Sequence, residues 1–402
     1  MSPVLSNDIL LKAAEEFGTP LYVYDEDRIT IQYTSLQHAF RRSDVKIFYA
    51  CKALTNINIL RILEKLGSGI DCVSLNEVQI ALKAGFAPDR IIFTPNSVGF
   101  DEYFEATALK VNINIDNLDL LEQFGIHFGN SYPVIIRLNP HIMAGGNLKI
   151  STGHVDSKFG ISIEQIDAIK EIVSKTNISV KGIHIHTGSE IKDVEVFVRG
   201  LELMLELTAS FPDLSVIDLG GGFKVPYMPD EKGTDMELLG EKLAETFEKH
   251  ASVTGKKFQV WFEPGKFLVS ECGYFLVKSN IIKDSPSRTF VGVNSGFNHL
   301  IRPMFYDAYH KIKNISNPTG PIKTYNVVGN ICETDTFAWD RKLNEVRPND
   351  ILLFSNAGAY GFEMSSRFNS RTRPAEVLVT KGVLRLIRRR ETLDDILEGV
   401  IV

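Results

Sequence analysis

Eight short apolar, β-branched runs recur along the first two-thirds of this chain, with amphipathic helical stretches between them. They are Val45–Ala50, Gly69–Val73, Arg90–Phe93, Asn112–Ile115, Tyr132–Leu138, Ser179–Ile185, Ser215–Leu219 and Phe258–Phe262. A helix after each strand forces parallel neighbours, because a parallel pair needs a long crossover. Eight such units close a sheet into a (βα)8 barrel, whose strand C-termini all open on one face. An open doubly wound sheet is the competing architecture. The strand count favours the barrel, as do reactive residues following strands from both ends of the series.

From about Phe267 the rhythm changes. Phe267–Leu276, Thr289–Val293, Tyr325–Val328, Ile351–Phe354 and Ala375–Val379 are strand-like, with turns between them and little helix. This predicts an α/β fold: an eight-stranded parallel barrel over 28–266 plus an all-β domain from 267–402. The N-terminal residues 1–27 belong with the second domain, because Pro20–Tyr24 reads as a strand that can pair into its sheet. Asp25 is placed to cap a helix running to about Arg41. The segment Asn139–Ser162, rich in glycine and without clear periodicity, predicts a lid or substrate loop on the barrel's active face.

With 402 residues, 44% hydrophobic and 23% charged, the chain has an ordinary globular composition. A net charge of −6 argues against nucleic acid as a partner. The one dense basic run, Arg388–Arg390, reads as a solvated strand end. No apolar run reaches bilayer-crossing length. The N-terminal stretch reads as an amphipathic helix rather than a signal peptide. The four cysteines (Cys51, Cys72, Cys272, Cys332) are scattered, which fits neither a disulfide framework nor a zinc site. A cytoplasmic protein is expected.

Several reactive residues stand just past strand ends. Lys52 follows the first run; a desolvated amine there becomes a nucleophile, although a solvated loop lysine has the same sequence. Gly220-Gly221-Gly222 follows the seventh run, where successive N–H groups can cradle a phosphate; a tight turn is the plainer reading. Glu263 follows the eighth and can hold a pyridine nitrogen protonated, or simply pair with a barrel cation. His184 and His186 share one side of the sixth strand. His186 can stack on a cofactor ring and Ser189 can donate to a phosphate. His184 reads as a satisfied core histidine, since no third metal ligand stands nearby in sequence. Arg137 suits either a place near the ring or an internal ion pair. A lysine, a histidine, a phosphate cradle and a carboxylate at one barrel mouth point to pyridoxal 5'-phosphate.

Taken together, the motifs resemble the fold-type III pyridoxal phosphate-dependent decarboxylases, and most closely the diaminopimelate decarboxylases. The resemblance runs from PLYVYD to RTRPAEVLV, nearly the whole chain. It is carried by FYACKA around Lys52, STGHVDSKFGI at 151–161, HTGSE around His186 and DLGGGF around Gly222. It continues in EPGK at 263–266, RPMFYDAYH at 302–310, GNICETD at 329–335 and GAYGFEMSSRFN at 358–369. The resemblance implies decarboxylation of meso-2,6-diaminopimelate to L-lysine and CO2, the last step of lysine biosynthesis. It implies that Lys52 binds the cofactor as a Schiff base and that His186 stacks on the ring. Ser189, Gly221, Gly222, Gly265 and Lys266 would line the phosphate, with Glu263 at the pyridine nitrogen. Tyr360 would reach both cofactor and substrate. Arg302, Tyr306 and Glu333 would hold the substrate's distal end, and Cys332 would protonate the product carbanion. The active site would form across a homodimer, with Cys332 and Glu333 supplied by the neighbouring subunit.

Arg302 offers a fork suited to a distal carboxylate, and Glu333 an acceptor for a distal ammonium. Lys266 departs from the family's usual EPGR. It keeps the charge but loses the bidentate fork, which puts its substrate contact in question. Thr334–Phe337 also differs from the more common small-residue run. The rival readings are a decarboxylase for lysine, ornithine or arginine, and a non-catalytic homologue that kept the fold. A racemase on the same barrel would place an arginine, not Glu263, at the pyridine nitrogen.

Overall fold

The computed structural model describes residues 5–142, 153 and 157–401. Much of the expected lid, including residues 151, 152 and 154–156 of the 151–161 motif, lies outside the described residues. The chain divides into two compact units, one of residues 32–225 and 232–267, the other of 1–31, 226–231 and 268–402.

Strand β1 (Leu21–Asp25) opens the second of these units. The barrel of the first is built from β2 (Val45–Ala50), β3 (Gly69–Cys72), β4 (Ile91–Phe93), β5 (Asn112–Ile115) and β6 (Val134–Asn139). After β7 (Ile161–Ser162), a short strand on β6, come β8 (Val180–Ile185), β9 (Val216–Asp218) and β10 (Gln259–Phe262). All pairings are parallel, and β10 returns to β2, so the sheet closes. That closure excludes the open doubly wound alternative.

The barrel interior explains why the site sits where it does. Side chains alternate along a strand, so every second residue points inward. Phe48, Ile92, Ile135, Val216 and Trp261 form one inward apolar layer. The rings of Phe48 and Trp261 lie 4.4 Å apart at their centroids. Gly69 and Gly182 leave room in it: a Cβ on Gly69 would meet Phe48 at 2.3 Å, and one on Gly182 would meet Val216 at 3.1 Å. Two residues further along the strands come Asp71, Arg137, His184, Asp218 and Glu263, all buried. The same period that builds an apolar plug below therefore delivers a charged layer above it.

In the other unit, the sheet runs β15-β14-β12-β11-β1-β17-β18, with β16 on β11 and β13 on β16. Its strands are β11 (Gly273–Asp284), β12 (Thr289–Val293), β13 (Ile312–Asn314), β14 (Ile322–Val328), β15 (Thr336–Asn344), β16 (Ile351–Phe354), β17 (Ala375–Thr380) and β18 (Val383–Arg388). Strand β1 does enter this sheet, antiparallel to β11 and parallel to β17. The helix Asn7–Phe17, capped by the Ser6 hydroxyl, packs Leu10 and Ala13 against Leu21, Val23, Val377 and Val379. Asp25 caps the next helix, Glu26–Ala39, accepting the Asp27 N–H at 3.0 Å.

Two expectations need correction. The run beginning at Phe267 opens as a short helix, Lys266–Val269, and becomes strand only at Gly273. The basic run 388–390 is not simply solvated. Arg388 pairs with the fully buried Glu376, and the Arg390 guanidinium donates to the Pro20 carbonyl at 2.7 Å. A buried carboxylate needs a charge partner, and an unpaired Glu376 would be costly.

Candidate active site

Lys52 sits in a single 3-10 turn, Cys51–Ala53, immediately past β2. Its Nζ lies 2.9 Å from Oδ2 of the buried Asp71, the residue before the end of β3. Burial and the nearby Glu263 charge push the Asp71 carboxyl up, and Lys52 pulls it back. His184 is buried in the same layer, with Nδ1 2.8 Å from the Asn114 amide nitrogen. An amide donor at Nδ1 places the ring proton on Nε2. That atom lies 3.3 Å from Oε2 of Glu263, close but without hydrogen-bond alignment.

Burial raises the Glu263 carboxyl, but His184 and then Lys52 outweigh it and hold it at about 2. Asp218 is pushed the opposite way, first by burial and then by the Glu263 charge. The neighbouring carboxyls are therefore pushed apart, Glu263 towards the anion and Asp218 towards the acid. Asp218 also accepts the Gly220 N–H at 2.9 Å and so fixes the start of the glycine turn. His184 is thus more than a satisfied core residue. Folding also brings it the two carboxylates absent nearby in sequence, since donor atoms of His184, Asp218 and Glu263 lie within 4.8 Å of one another.

His186, past the end of β8, accepts the Gly221 N–H at Nδ1 over 3.2 Å. Burial, then the Arg137 and Lys52 charges, hold its pKa down to about 3, so the ring is neutral. Arg137 is buried, with its guanidinium 4.8 Å from the Phe159 ring centre. Beyond the glycine turn, Lys266 donates to the Ser189 hydroxyl at 3.1 Å and pairs with Glu190. Lys224 reaches the same Glu190 at 3.5 Å.

The remaining predicted residues lie in the sheet unit. Arg302 opens the helix Arg302–Tyr306 and is buried, its guanidinium 4.7 Å over the Tyr227 ring. His310 donates from Nδ1 to the Ser355 carbonyl at 2.9 Å, which leaves Nε2 facing Arg302 Nη1 at 3.4 Å. Burial pushes the Tyr306 phenol up, with Tyr360 adding to it and Arg302 opposing. Tyr360 itself holds a left-handed φ of +55°. Cys332 and Glu333 are exposed on the loop between β14 and β15. Within each unit, then, the predicted residues gather around Lys52, Glu263 and the glycine turn, around Arg302, and at Cys332.

A family profile described as "Pyridoxal-dependent decarboxylase, pyridoxal binding domain" matches residues 26–270. Diaminopimelate decarboxylase of Methanothermobacter thermautotrophicus is 40% identical over 399 residues, covering 97% of this chain and 93% of the relative. That of Aquifex aeolicus is 35% identical over the same shares. The chain belongs to the diaminopimelate decarboxylase family. Among solved structures, that of Methanocaldococcus jannaschii with L-lysine matches at TM-score 0.89 and 33% identity, covering 98% of this chain and 94% of that one. The Helicobacter pylori enzyme with L-lysine matches at 0.88 and 31%, covering 96% and 98%. A lysine/ornithine decarboxylase of Vibrio vulnificus shares the fold at 0.82 with 23% identity.

Pyridoxal 5'-phosphate is the cofactor of this family, and the residues present fit it. Oε1 of Glu263 is a buried acceptor with no partner, the position a ring N–H would satisfy. The glycine turn is bare because nothing larger fits. A Cβ on Gly221 would stand 2.3 Å from the Glu263 carbonyl, and one on Gly222 2.2 Å from that of Gly188. Gly220 and Gly222 also hold φ of +65° and +98°. Asp218 and His186 already accept the Gly220 and Gly221 N–H groups, so the Gly222 N–H is the one this turn can offer an anion. Sequence reasoning missed Asp71, Asp218 and Glu190. Asp71 and Asp218 were legible as the last inward positions of their strands; Glu190 follows Ser189 with no periodic signal at all.

Proposed function

We propose that this chain removes one carboxylate of meso-2,6-diaminopimelate, giving L-lysine and CO2, with pyridoxal 5'-phosphate bound at the barrel mouth. The observation that carries the reading is the ionised, partly unpartnered Glu263 in a buried layer bordered by a glycine turn and by the exposed Lys52, which reaches the layer through Asp71. When bound, the cofactor supplies an electron sink for the pair released as the C–C bond breaks. Glu263 keeps the ring nitrogen protonated, its own carboxyl held low while that of Asp218 is pushed up. Lys52 is the amine that tethers the cofactor, and Asp71 steadies it. Neutral His186 stacks on the ring without adding a positive charge. Ser189, Gly221, Gly222, Gly265 and Lys266 bind the phosphate. Lys266 is already shared between Ser189 and Glu190, so phosphate rather than substrate is its partner.

Arg302, Tyr306, Glu333 and Tyr360 bind the substrate, with Arg302 on the distal carboxylate. The relatives solved with L-lysine bind the product this reading requires. Cys332 protonates the carbon after CO2 leaves. Cys332 and Glu333 act in the site of a second copy, so the working unit is a homodimer of the cytoplasm. Among the described residues no helix is long and apolar enough to cross a membrane.

The test is CO2 release from meso-diaminopimelate, lysine, ornithine and arginine side by side. Release is expected from diaminopimelate, with the others at least about a hundredfold lower in kcat/KM, because they leave Arg302 without a carboxylate. Preference for lysine or ornithine overturns the substrate; no release from any, by a protein that takes up no cofactor, overturns the enzyme.

A further inference from the structure

Cys332 is gripped at two points by one side chain. Its backbone N–H donates to Oδ1 of Asn369 at 3.0 Å. The Nδ2 of the same amide donates to its sulfur at 3.1 Å. Asn369 is itself held from several directions. It stands in the left-handed region at φ +55°, a conformation asparagine adopts with little strain. On one side Phe368 stacks on Phe297 with ring centres 5.6 Å apart. On the other, Arg371 donates to the Asn330 carbonyl at 3.1 Å, which ties the two loops together. Ser366 N–H donates to the Asn298 carbonyl at 2.7 Å, anchoring the start of the segment. The loop bearing Cys332 is pinned in the same way: Gly329 N–H donates to the Asp335 carbonyl at 2.7 Å and Asn330 N–H to that of Ser295 at 2.9 Å.

We infer that Asn369 is a positioning residue that aims the Cys332 thiol and stabilises the thiolate it becomes. The inference rests on Cys332 being the proton donor proposed above. In that step the S–H bond breaks, a C–H bond forms on the product carbon, and the sulfur keeps the electron pair. The negative charge then sits on an atom that already receives an N–H. A hydrogen bond to an ionised acceptor is worth more than one to the neutral thiol, so Asn369 favours the step. Because the amide fixes one approach to the sulfur, the S–H is left to point elsewhere. Sequence inspection offers no hint of this, since the two residues are 37 positions apart.

The test measures alkylation of Cys332 by iodoacetamide in the cofactor-loaded protein against pH, read by mass spectrometry. Cys51, Cys72 and Cys272 are buried and serve as silent internal controls. Asn369→Asp keeps the acceptor for the Cys332 N–H but replaces the donor with an anion. The midpoint is expected to rise by about one pH unit, slowing alkylation about tenfold below it. Asn369→Ala should raise it less, and in both variants kcat should fall with KM nearly unchanged. An unaltered alkylation profile in Asn369→Asp overturns the inference, even if Asn369→Ala proves too unstable to purify. Cys332→Ser separates the two readings. Full turnover in that variant removes Cys332 as the proton donor, whereas the alkylation shift reports on Asn369 alone.

Discussion

The barrel mouth and the β14–β15 loop of the sheet unit solve opposite problems. At the barrel mouth, charge is buried and over-determined: Asp71, Arg137, His184, Asp218 and Glu263 are all nearly sealed from solvent. Every one of them is held at or near a strand end. On the sheet unit, Cys332 and Glu333 are exposed, and the thiol's position depends on a neighbouring loop. The difference follows from what each region must do. An electron sink needs a fixed ionisation state, which low dielectric and rigid strands provide. Substrate and proton transfer need access, which loops provide.

The largest effect is expected at Lys52. If the buried layer exists to serve a tethered cofactor, Lys52→Ala should reduce turnover by about 10⁴-fold or more and abolish the visible absorbance of the loaded protein. Full activity, or an unchanged spectrum, would show that the layer is merely structural. Asp71 would then lose its cation. Because burial already raises its pKa, it should take up a proton rather than remain a stranded charge, so the fold should survive and the loss should be chemical.

How much of this was legible beforehand depends on whether periodicity carries it. The eight strands and the residues at their ends follow a period of two, so Lys52, His186, Glu263 and the glycine turn could be placed without coordinates. His184 was seen but undervalued, because its meaning comes from Glu263 and Asp218, which reach it only through barrel closure. Strands β13 and β15 escaped notice, and β18 was marked only at its basic end: β13 has only three residues, and β15 (TFAWDRKLN) and β18 (VLRLIR) mix charge into their alternation. Asn369, Glu190 and Tyr227 lie in irregular backbone, where no repeat announces which side chain faces which.

A subtler separation of the two regions is expected from Arg302→Lys. Lysine keeps the charge but gives up the fork and the guanidinium's place over the Tyr227 ring. If Arg302 holds the distal carboxylate, KM for diaminopimelate should rise about ten- to a hundredfold, while the absorbance of the loaded protein stays that of the parent. An altered spectrum with an unchanged KM would place Arg302 with the cofactor's machinery instead, and the division drawn here would fail.

The smallest effect concerns His310, which supports Arg302 from behind. Burial, and then the Arg302 charge, hold its pKa down to about 3, against an ordinary value near 6.5. Between those values the unfolded chain binds a proton that the folded chain refuses. Stability from the neutral ring is therefore fully present above about 6.5 and is lost as pH falls towards 3. At pH 5 the loss is about 2 kcal/mol, since each unit below 6.5 costs about 1.4 kcal/mol. His310→Gln can still donate to the Ser355 carbonyl but cannot protonate. Denaturant unfolding should thus show the parent more stable than the variant at pH 7, with the gap shrinking by about 2 kcal/mol at pH 5. Parallel stability curves would mean that His310 takes up its proton without unfolding, by turning Nε2 away from Arg302. The sheet unit's grip on Arg302 would then be as adjustable as its exposed cysteine loop, rather than as fixed as the barrel mouth.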